Sequence, residues 1–240
     1  MRPHQPAISD AGPAPDGNSK RFFYDRFAPD FDKKMNRYDL ETRLRLVFDR
    51  LLPRDLQGKK LLDAGCGTGF FSQAASSKGA DVTSMDMGQR LLDQVALKCR
   101  SNRVIGSVLQ LAFRDESFDL IICSEVIEHT DNPLGAIGEL YRVLRPGGTL
   151  ALTVPNRFWK WSCSLANVLR LRPYEGMENW VGYGALRRCL LQNRFEVTKY
   201  FGFHLFPFQL TAAQPILRRM DRYGSVMGPI YINIGAACRK

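Results

Sequence analysis

Residues 61–71, with the sequence LLDAGCGTGFF, constrain the fold of this chain more than any other stretch. The apolar start predicts a buried strand, the three glycines at alternate positions predict a tight turn, and a helix can begin at Phe70. A ligand can approach the backbone closely where no Cβ stands in the way. The free N–H groups at the start of the following helix favour an electron-rich ligand. We therefore predict a nucleotide-binding loop here.

Short strands and helices alternate along the rest of the chain. Strands are predicted at 60–63, 81–85, 104–108, 118–123, 149–154, 195–200 and 231–237. Helices are predicted at 21–52, 70–77, 89–98, 132–144 and 186–192. The apolar run at 118–123 is typical of a sheet that is covered on both faces. The pattern predicts an α/β fold with a Rossmann-like, doubly wound sheet of seven strands, mostly parallel, with helices on both faces and an antiparallel last strand.

The length of 240 residues suits one domain. We expect a disordered tail at 1–20 and a single domain at 21–240, with an N-terminal helical cap and a lid-like insert at about 156–182. The sequence has no apolar run of the roughly 20 residues that a bilayer span needs. The tail lacks the apolar core of a secretory signal, and the six scattered cysteines suit a reducing compartment. A cytoplasmic protein is therefore expected.

The chain is strongly basic, with a net charge of +10 and a pI near 9.5. This balance favours an anionic partner, although a well-solvated basic surface explains it equally well. Residues 157–162 (RFWKWS) combine aromatic and cationic side chains, which suits peripheral contact with an anionic membrane surface or a lid over an acceptor pocket. No nucleic-acid-binding motif is present, so nucleic acid is not the expected partner. The oligomeric state is not indicated.

Several motifs in order resemble the class I S-adenosylmethionine-dependent methyltransferases of the type 11/12 kind. They are the D-x-G-x-G-x-G loop at 63–69, an aspartate (Asp86) that ends the second strand, the segment 109–119 and the turn RPGG at 145–148. The resemblance implies S-adenosyl-L-methionine as cofactor, S-adenosyl-L-homocysteine as product and a small-molecule acceptor. A looser similarity of 58–63, 82–88 and 154–157 to the ubiquinone-biosynthesis O-methyltransferases implies methylation at oxygen.

Two other functions remain open at this point. A nicotinamide-dependent oxidoreductase would use the fingerprint G-x-G-x-x-G, but the third glycine of this chain comes one residue too early. A non-catalytic protein that binds an adenosyl ligand would keep the loop without the chemistry.

The resemblance also assigns cofactor contacts. Asp63, Gly65 and Gly67 would lie against the methionyl part, and Arg43 would bind its carboxylate. Asp86 would accept hydrogen bonds from the ribose hydroxyls, as a carboxylate does about 20 residues after a dinucleotide loop. The remaining contacts would come from Met87 and Val108 at the adenine and Ser124 near the methionine chain.

The catalytic residues are predicted in the segment after the fourth strand. His129 and Glu125 are the candidates, because a histidine suits a general base near neutral pH; a histidine that only pins the loop is the alternative. The ubiquinone group has been taken to bind a divalent metal at Glu-x-x-Glu-His, and the spacing of Glu125, Glu128 and His129 permits it. The same triplet occurs in relatives without metal, so no metal is predicted. His204 is expected to border the acceptor pocket.

Overall fold

The computed structural model describes Asp25 and residues 28–162, 178–205 and 214–240. Within these residues seven strands form one sheet with helices around it. The strands are β1 (Lys60–Ala64), β2 (Asp81–Asp86), β3 (Asn102–Ile105), β4 (Phe118–Ser124), β5 (Leu144–Pro155), β6 (Glu196–Phe203) and β7 (Asn233–Arg239). The α-helices are α1 (Ala28–Lys34), α2 (Arg37–Leu46), α3 (Phe70–Ser77), α4 (Gln89–Lys98), α5 (Gly135–Val143), α6 (Tyr183–Gln192) and α7 (Gln214–Met220).

The strand order is β3-β2-β1-β4-β5-β7-β6. Neighbours from β3 to β5 are parallel, and β7 runs antiparallel to both β5 and β6. The predicted fold, including the antiparallel last strand, is therefore confirmed. The order reverses between β1 and β4, so the loops after these two strands diverge and leave a crevice at the carboxyl edge of the sheet, where α/β proteins bind ligands.

Alternate residues of the central strands point to opposite faces of the sheet. Leu62 and Ile121 belong to a core that includes residues of α5 and α6, whereas Leu61 and Leu120 belong to a second core with residues of α3. The second core also contains the π-helical turn Val47–Leu51, which continues α2. Because both faces are covered, every residue of β4 up to Cys123 is buried.

Several predicted elements are wrong in their bounds: β5 begins at Leu144, β6 extends to Phe203 and α6 begins at Tyr183. The single helix predicted at 21–52 is interrupted after α1, because the Asn36 side chain accepts the Asp39 N–H at 3.1 Å and starts a new helix. The third strand ends at Ile105 instead of reaching Val108, because its partner strand β2 ends at Asp86, the residue that pairs with Ile105. By contrast, α3 and α4 have the predicted bounds. The predicted tail at 1–20 and most of the predicted insert lie outside the described residues.

Candidate active site

The three glycines of the loop after β1 have positive φ values of +80° at Gly65, +53° at Gly67 and +89° at Gly69. A Cβ at Gly65 would overlap the methyl groups of Val126, which follows β4, and a Cβ at Gly69 would lie 2.9 Å from Val95 of α4. At Gly67 nothing lies within 4 Å of that position. Gly65 and Gly69 are therefore needed for packing, whereas Gly67 leaves open space in front of the backbone.

Asp86, the last residue of β2, holds the loop from the side. Its Oδ2 accepts the Gly67 N–H at 2.9 Å, and its Oδ1 accepts the Gly88 N–H at 3.0 Å. Burial raises the pKa of Asp86, while these N–H groups and that of Met87 act against the rise. Each carboxylate oxygen has two lone pairs. Asp86 can therefore fix the loop and still accept hydrogen bonds from a ligand.

Asp63 lies under the loop, and its carboxylate faces α3. It is 2% exposed, and its Oδ2 accepts the Ser72 hydroxyl at 2.6 Å. The chain of hydroxyls continues from Ser72 to Ser84 at 2.7 Å and from Ser84 to Ser101 at 2.8 Å. Burial raises the pKa of Asp63 to about 7. This side chain supports the loop through Ser72, on the α3 side of the sheet.

The N-terminal segment closes over the loop through acidic residues. Asp32 of α1 accepts the Thr68 hydroxyl at 2.6 Å and pairs with Lys98 at 2.6 Å. Asp25 accepts backbone N–H groups at the start of α4, from Arg90 at 2.8 Å and from Leu91 at 3.3 Å. Sequence reasoning missed both aspartates, because their partners are remote in sequence.

Arg43 of α2 reaches the carboxyl end of β4 from above. Its Nε and Nη2 lie 2.9 and 2.8 Å from Asp39 Oδ2, and its Nη1 donates to Ser124 Oγ at 3.3 Å. Ser124 in turn lies 2.8 Å from the Thr153 hydroxyl of β5. Burial opposes the charge of Arg43, but Asp39 and Glu125 hold its pKa above the ordinary value. Arg43 and Ser124, both predicted at the cofactor, are thus brought together.

Glu125 follows β4 in a strained backbone conformation, with φ +56°. Its Oε2 accepts the Asn233 side-chain amide of β7 at 3.0 Å, and its backbone N–H donates to the Thr153 carbonyl at 2.9 Å. Burial raises the pKa of Glu125 to about 7, although Arg43 acts in the opposite direction. A carboxyl group with such a pKa can take up a proton near neutral pH.

Glu128 and His129 lie in the short helical turn Ile127–His129. Glu128 is buried, and its pKa lies well above the usual value because of burial and of the neighbouring Glu125. His129 is more exposed, and its Nε2 lies 3.8 Å from Glu128 Oε1. The backbone of this turn is held by the Asn179 N–H, which donates to the Glu128 carbonyl at 2.6 Å. Both predicted catalytic residues thus lie at the edge of the crevice.

His204, just after β6, joins the same region from the opposite side. It is 1% exposed and has φ +57°. Its Nδ1 lies 3.3 Å from Asp39 Oδ1, and its ring lies 5.5 Å from that of Tyr38. Burial lowers the pKa of His204, with Asp39 acting against this. We refer to six residues here as the polar cluster: Asp39, Arg43, Glu125, Glu128, His204 and Asn233.

The segment after β3 is folded back on itself beside β2. Val108 is 4% exposed and belongs to the core that contains Met85, so its side chain supports the loop from inside. Arg142 of α5 fixes the segment by donating to the carbonyls of Leu111 and Phe113, both at 2.8 Å. Sequence reasoning missed Arg142. Within the described ranges, no group of three or more His, Cys, Asp or Glu side chains is arranged to hold a metal ion.

Comparison with known proteins finds a methyltransferase domain in part of the chain. Residues 62–152 match the family described as methyltransferase domain. The ubiquinone biosynthesis O-methyltransferase of Pseudomonas savastanoi pv. phaseolicola is 36% identical over 108 residues, which cover 42% of this chain and 47% of that protein. The match thus spans about half the length of this curated relative.

Solved structures share the fold over more of the chain. An S-adenosylmethionine-dependent methyltransferase from Mesorhizobium loti superposes with a TM-score of 0.64 at 16% identity, covering 82% of this chain and 98% of that one. A geranyl diphosphate methyltransferase in complex with GPP and sinefungin gives a TM-score of 0.60 at 17% identity, with 83% and 78% covered. Residues 62–152 of the chain thus match a methyltransferase domain, and the chain shares the fold of S-adenosylmethionine-dependent methyltransferases of known structure.

Proposed function

We propose that this protein transfers a methyl group from S-adenosyl-L-methionine to an oxygen atom of a small-molecule acceptor. One observation carries the proposal: the Asp86 carboxylate accepts the Gly67 N–H at 2.9 Å, at the point where the strand order reverses and where no atom lies within 4 Å of a Cβ at Gly67. A backbone turn open to a ligand and a carboxylate beside it suit an adenosyl group with its ribose.

The residues of the crevice fit the cofactor in charge as well as in space. Asp86 retains lone pairs for ribose hydroxyls, and Met87 follows it toward the adenine. Arg43 retains N–H donors beyond those used by Asp39 and Ser124, which suits the cofactor carboxylate. When bound, the cofactor supplies an electrophilic methyl group on a sulfonium.

Glu125 and His129 would act on the acceptor in this proposal. An acceptor hydroxyl becomes a better nucleophile when a base takes its proton, and a base is most effective when its pKa lies near the working pH. Burial brings the pKa of Glu125 to about 7, and His129 is about one quarter exposed at the edge of the crevice. The role of oxygen is further supported by the ubiquinone biosynthesis O-methyltransferase to which the chain is 36% identical over 108 residues.

The other two functions have less support. The relatives reported above are methyltransferases, and the glycine spacing differs from the dinucleotide fingerprint, so we do not retain an oxidoreductase. A binding protein without chemistry would keep the glycine loop and Asp86 but would have no need of a buried acid such as Glu125 beside it.

The test uses the full chain in two measurements. Calorimetry with S-adenosylhomocysteine should show binding, and NADH titration should show none. Labelled S-adenosylmethionine is then incubated with a panel of phenols, sugars and amines, and the methylated atom is assigned by mass spectrometry. Absence of S-adenosylhomocysteine binding would refute the proposal. Binding without transfer to any acceptor of the panel would favour the non-catalytic protein.

We also propose that an anionic membrane surface is a partner of residues 157–162. Phe158 and Trp161 are 55% and 58% exposed, and the ring of Trp159 stacks on that of Trp161 at 5.8 Å. No helix of the described residues combines the length and apolarity needed to cross a bilayer. Co-sedimentation with vesicles of anionic lipid, compared with neutral vesicles and with Trp161→Ala, tests this contact. Equal sedimentation of both proteins would refute it.

A further inference from the structure

Two carboxyl oxygens of the polar cluster are buried without a donor. Glu128 is 2% exposed, and its Oε2 has no hydrogen-bond partner in the part of the chain that the structure describes. The same holds for Glu125 Oε1, whereas Glu125 Oε2 is bound by Asn233. A buried acceptor that lacks its donor costs about 1–3 kcal/mol, and more when the group is charged. Each of these two oxygens can therefore still accept a hydrogen bond from an N–H or O–H donor.

The cations of the polar cluster are directed elsewhere. Arg43 turns its Nε and Nη2 to Asp39 and its Nη1 to Ser124. His204 faces Asp39 as well, and burial lowers its pKa, which disfavours its charged form. Three carboxyl groups thus share one permanent positive charge, and that charge is closest to Asp39. His129 Nε2 lies 3.8 Å from Glu128 Oε1 and is charged only when protonated, so among the described residues Glu128 Oε2 and Glu125 Oε1 still have no donor.

The position of these glutamates relative to the loop indicates what could supply that cation. Val126, between Glu125 and the turn that holds Glu128, packs so closely on Gly65 that a Cβ there would overlap it. The backbone that carries both glutamates therefore lies next to the glycine loop. A group that meets them belongs to a ligand bound in the same crevice.

We propose that Glu128 and Glu125 bind a protonated amine of a ligand in this crevice, a conclusion that rests on the proposed function. With the amine bound, Glu125 stays ionised as its partner, and His129 is the residue left to act as the base. An ammonium group has three N–H donors and no acceptor, so a single one can donate to Glu128 Oε2 and Glu125 Oε1 together, whereas a hydroxyl has one donor. The amine belongs either to the acceptor or to the amino-acid end of the cofactor. A protonated nitrogen has no lone pair, so an acceptor held in this way is methylated at another atom, which agrees with oxygen.

The experiment compares amine-bearing probes with partners that lack the amine, using calorimetry on the full chain. S-adenosylhomocysteine is paired with 5′-methylthioadenosine, and tyramine is paired with p-cresol in the presence of saturating S-adenosylhomocysteine. Glu128→Gln keeps the shape of the side chain and removes its charge, and Glu128→Asp keeps the charge. Glu41→Gln is the matched control, because Glu41 is an exposed residue of α2 that pairs with the exposed Arg37.

Glu128→Gln should weaken the binding of the amine-bearing probe of one pair at least about tenfold. The affinity for the partner that lacks the amine should stay within about twofold of the wild-type value. Glu128→Asp should retain part of the preference, and Glu41→Gln all of it. The pair that responds identifies the source of the amine. The proposal is overturned if Glu128→Gln changes neither the preference for S-adenosylhomocysteine over 5′-methylthioadenosine nor that for tyramine over p-cresol. It is also overturned if the wild type binds tyramine no better than p-cresol and the variant leaves the first preference unchanged. Wild-type protein that fails to bind S-adenosylhomocysteine would instead refute the proposed function. Thermal unfolding of each variant checks that the fold is kept.

Discussion

Replacing Asp63 by asparagine should stabilise the protein at alkaline pH relative to the wild type. Asp63 is buried under the glycine loop, and burial raises its pKa from the usual 3.8 to about 7. The folded state therefore holds the proton more tightly than the unfolded state. The stability that this proton gives is complete below about pH 4 and is lost as the pH rises to about 7. Asparagine has no proton to lose and can still accept the Ser72 hydroxyl.

The size of the effect follows from the shift. One pKa unit corresponds to about 1.4 kcal/mol, so the ionised Asp63 destabilises the folded state by about 4 kcal/mol. At pH 5 the wild type has already lost about 1.5 kcal/mol of the stability that the proton on Asp63 gives at low pH. Between pH 5 and pH 8.5 the difference in unfolding free energy between Asp63→Asn and the wild type should therefore grow by about 2–3 kcal/mol in favour of the variant.

Urea unfolding at pH 5, 7 and 8.5 measures this difference. Subtracting the wild-type values removes the contribution of other buried acids such as Glu125, which titrate in both proteins. Asp81→Asn, at the exposed start of β2, is the control for the same substitution at a surface position. A difference in unfolding free energy between Asp63→Asn and the wild type that stays constant within about 0.5 kcal/mol across this range would contradict a raised pKa of the buried Asp63.

The remaining predictions concern the loop and its neighbours. Gly67→Ala should weaken S-adenosylhomocysteine binding at least about tenfold in calorimetry while costing only about 1 kcal/mol of stability for its positive φ; unchanged affinity would contradict the open space assigned to Gly67. Gly65→Ala should instead lower the unfolding free energy by about 3 kcal/mol, because its Cβ overlaps Val126; an unchanged melting temperature would count against it. Asp86→Asn should weaken S-adenosylhomocysteine binding by about 10- to 100-fold, since a hydrogen bond to a charged group contributes about 1.5–3 kcal/mol, and a change of less than twofold would refute its role. His129→Ala should slow turnover by about 100-fold or more with little change in S-adenosylhomocysteine affinity, whereas equal losses of both would show a structural role.

The fold was predictable from the sequence to the extent that its elements are specified locally. The helices α3 and α4 each begin after a glycine and contain an apolar stripe, so their bounds follow from the residues themselves. The break between α1 and α2 follows from one side chain, because Asn36 caps α2 in a segment that otherwise appears continuously helical. The early end of β3 depends on where the neighbouring strand β2 ends, which no pattern within β3 predicts.

The cofactor side and the acceptor side of the site also differ in how far local sequence patterns predict them. On the cofactor side, Gly67 and Asp86 carry recognisable spacing, and the structure brings them into direct contact. On the acceptor side, Asp39, His204 and Asn233 lie far apart in sequence. They meet only because β6 ends and β7 begins at the edge of the sheet where β4 and β5 end. Periodicity cannot predict such a meeting, since it depends on how the strands are ordered and on where α2 is docked.

The polar cluster is also the region in which local rules of stability are broken most often. Glu125 and His204 have positive φ values, which L-residues adopt at a cost, and both are held there by contacts from other elements. Glu128 has a buried carboxyl oxygen without a donor. Backbone strain and a buried carboxyl oxygen without a donor both reduce the stability of the folded chain. Their concentration at one edge of the sheet therefore needs a reason that folding alone does not provide. A ligand that brings donors to Glu125 and Glu128 provides that reason, because carboxyl oxygens that lack a donor among the described residues accept hydrogen bonds when the crevice is filled.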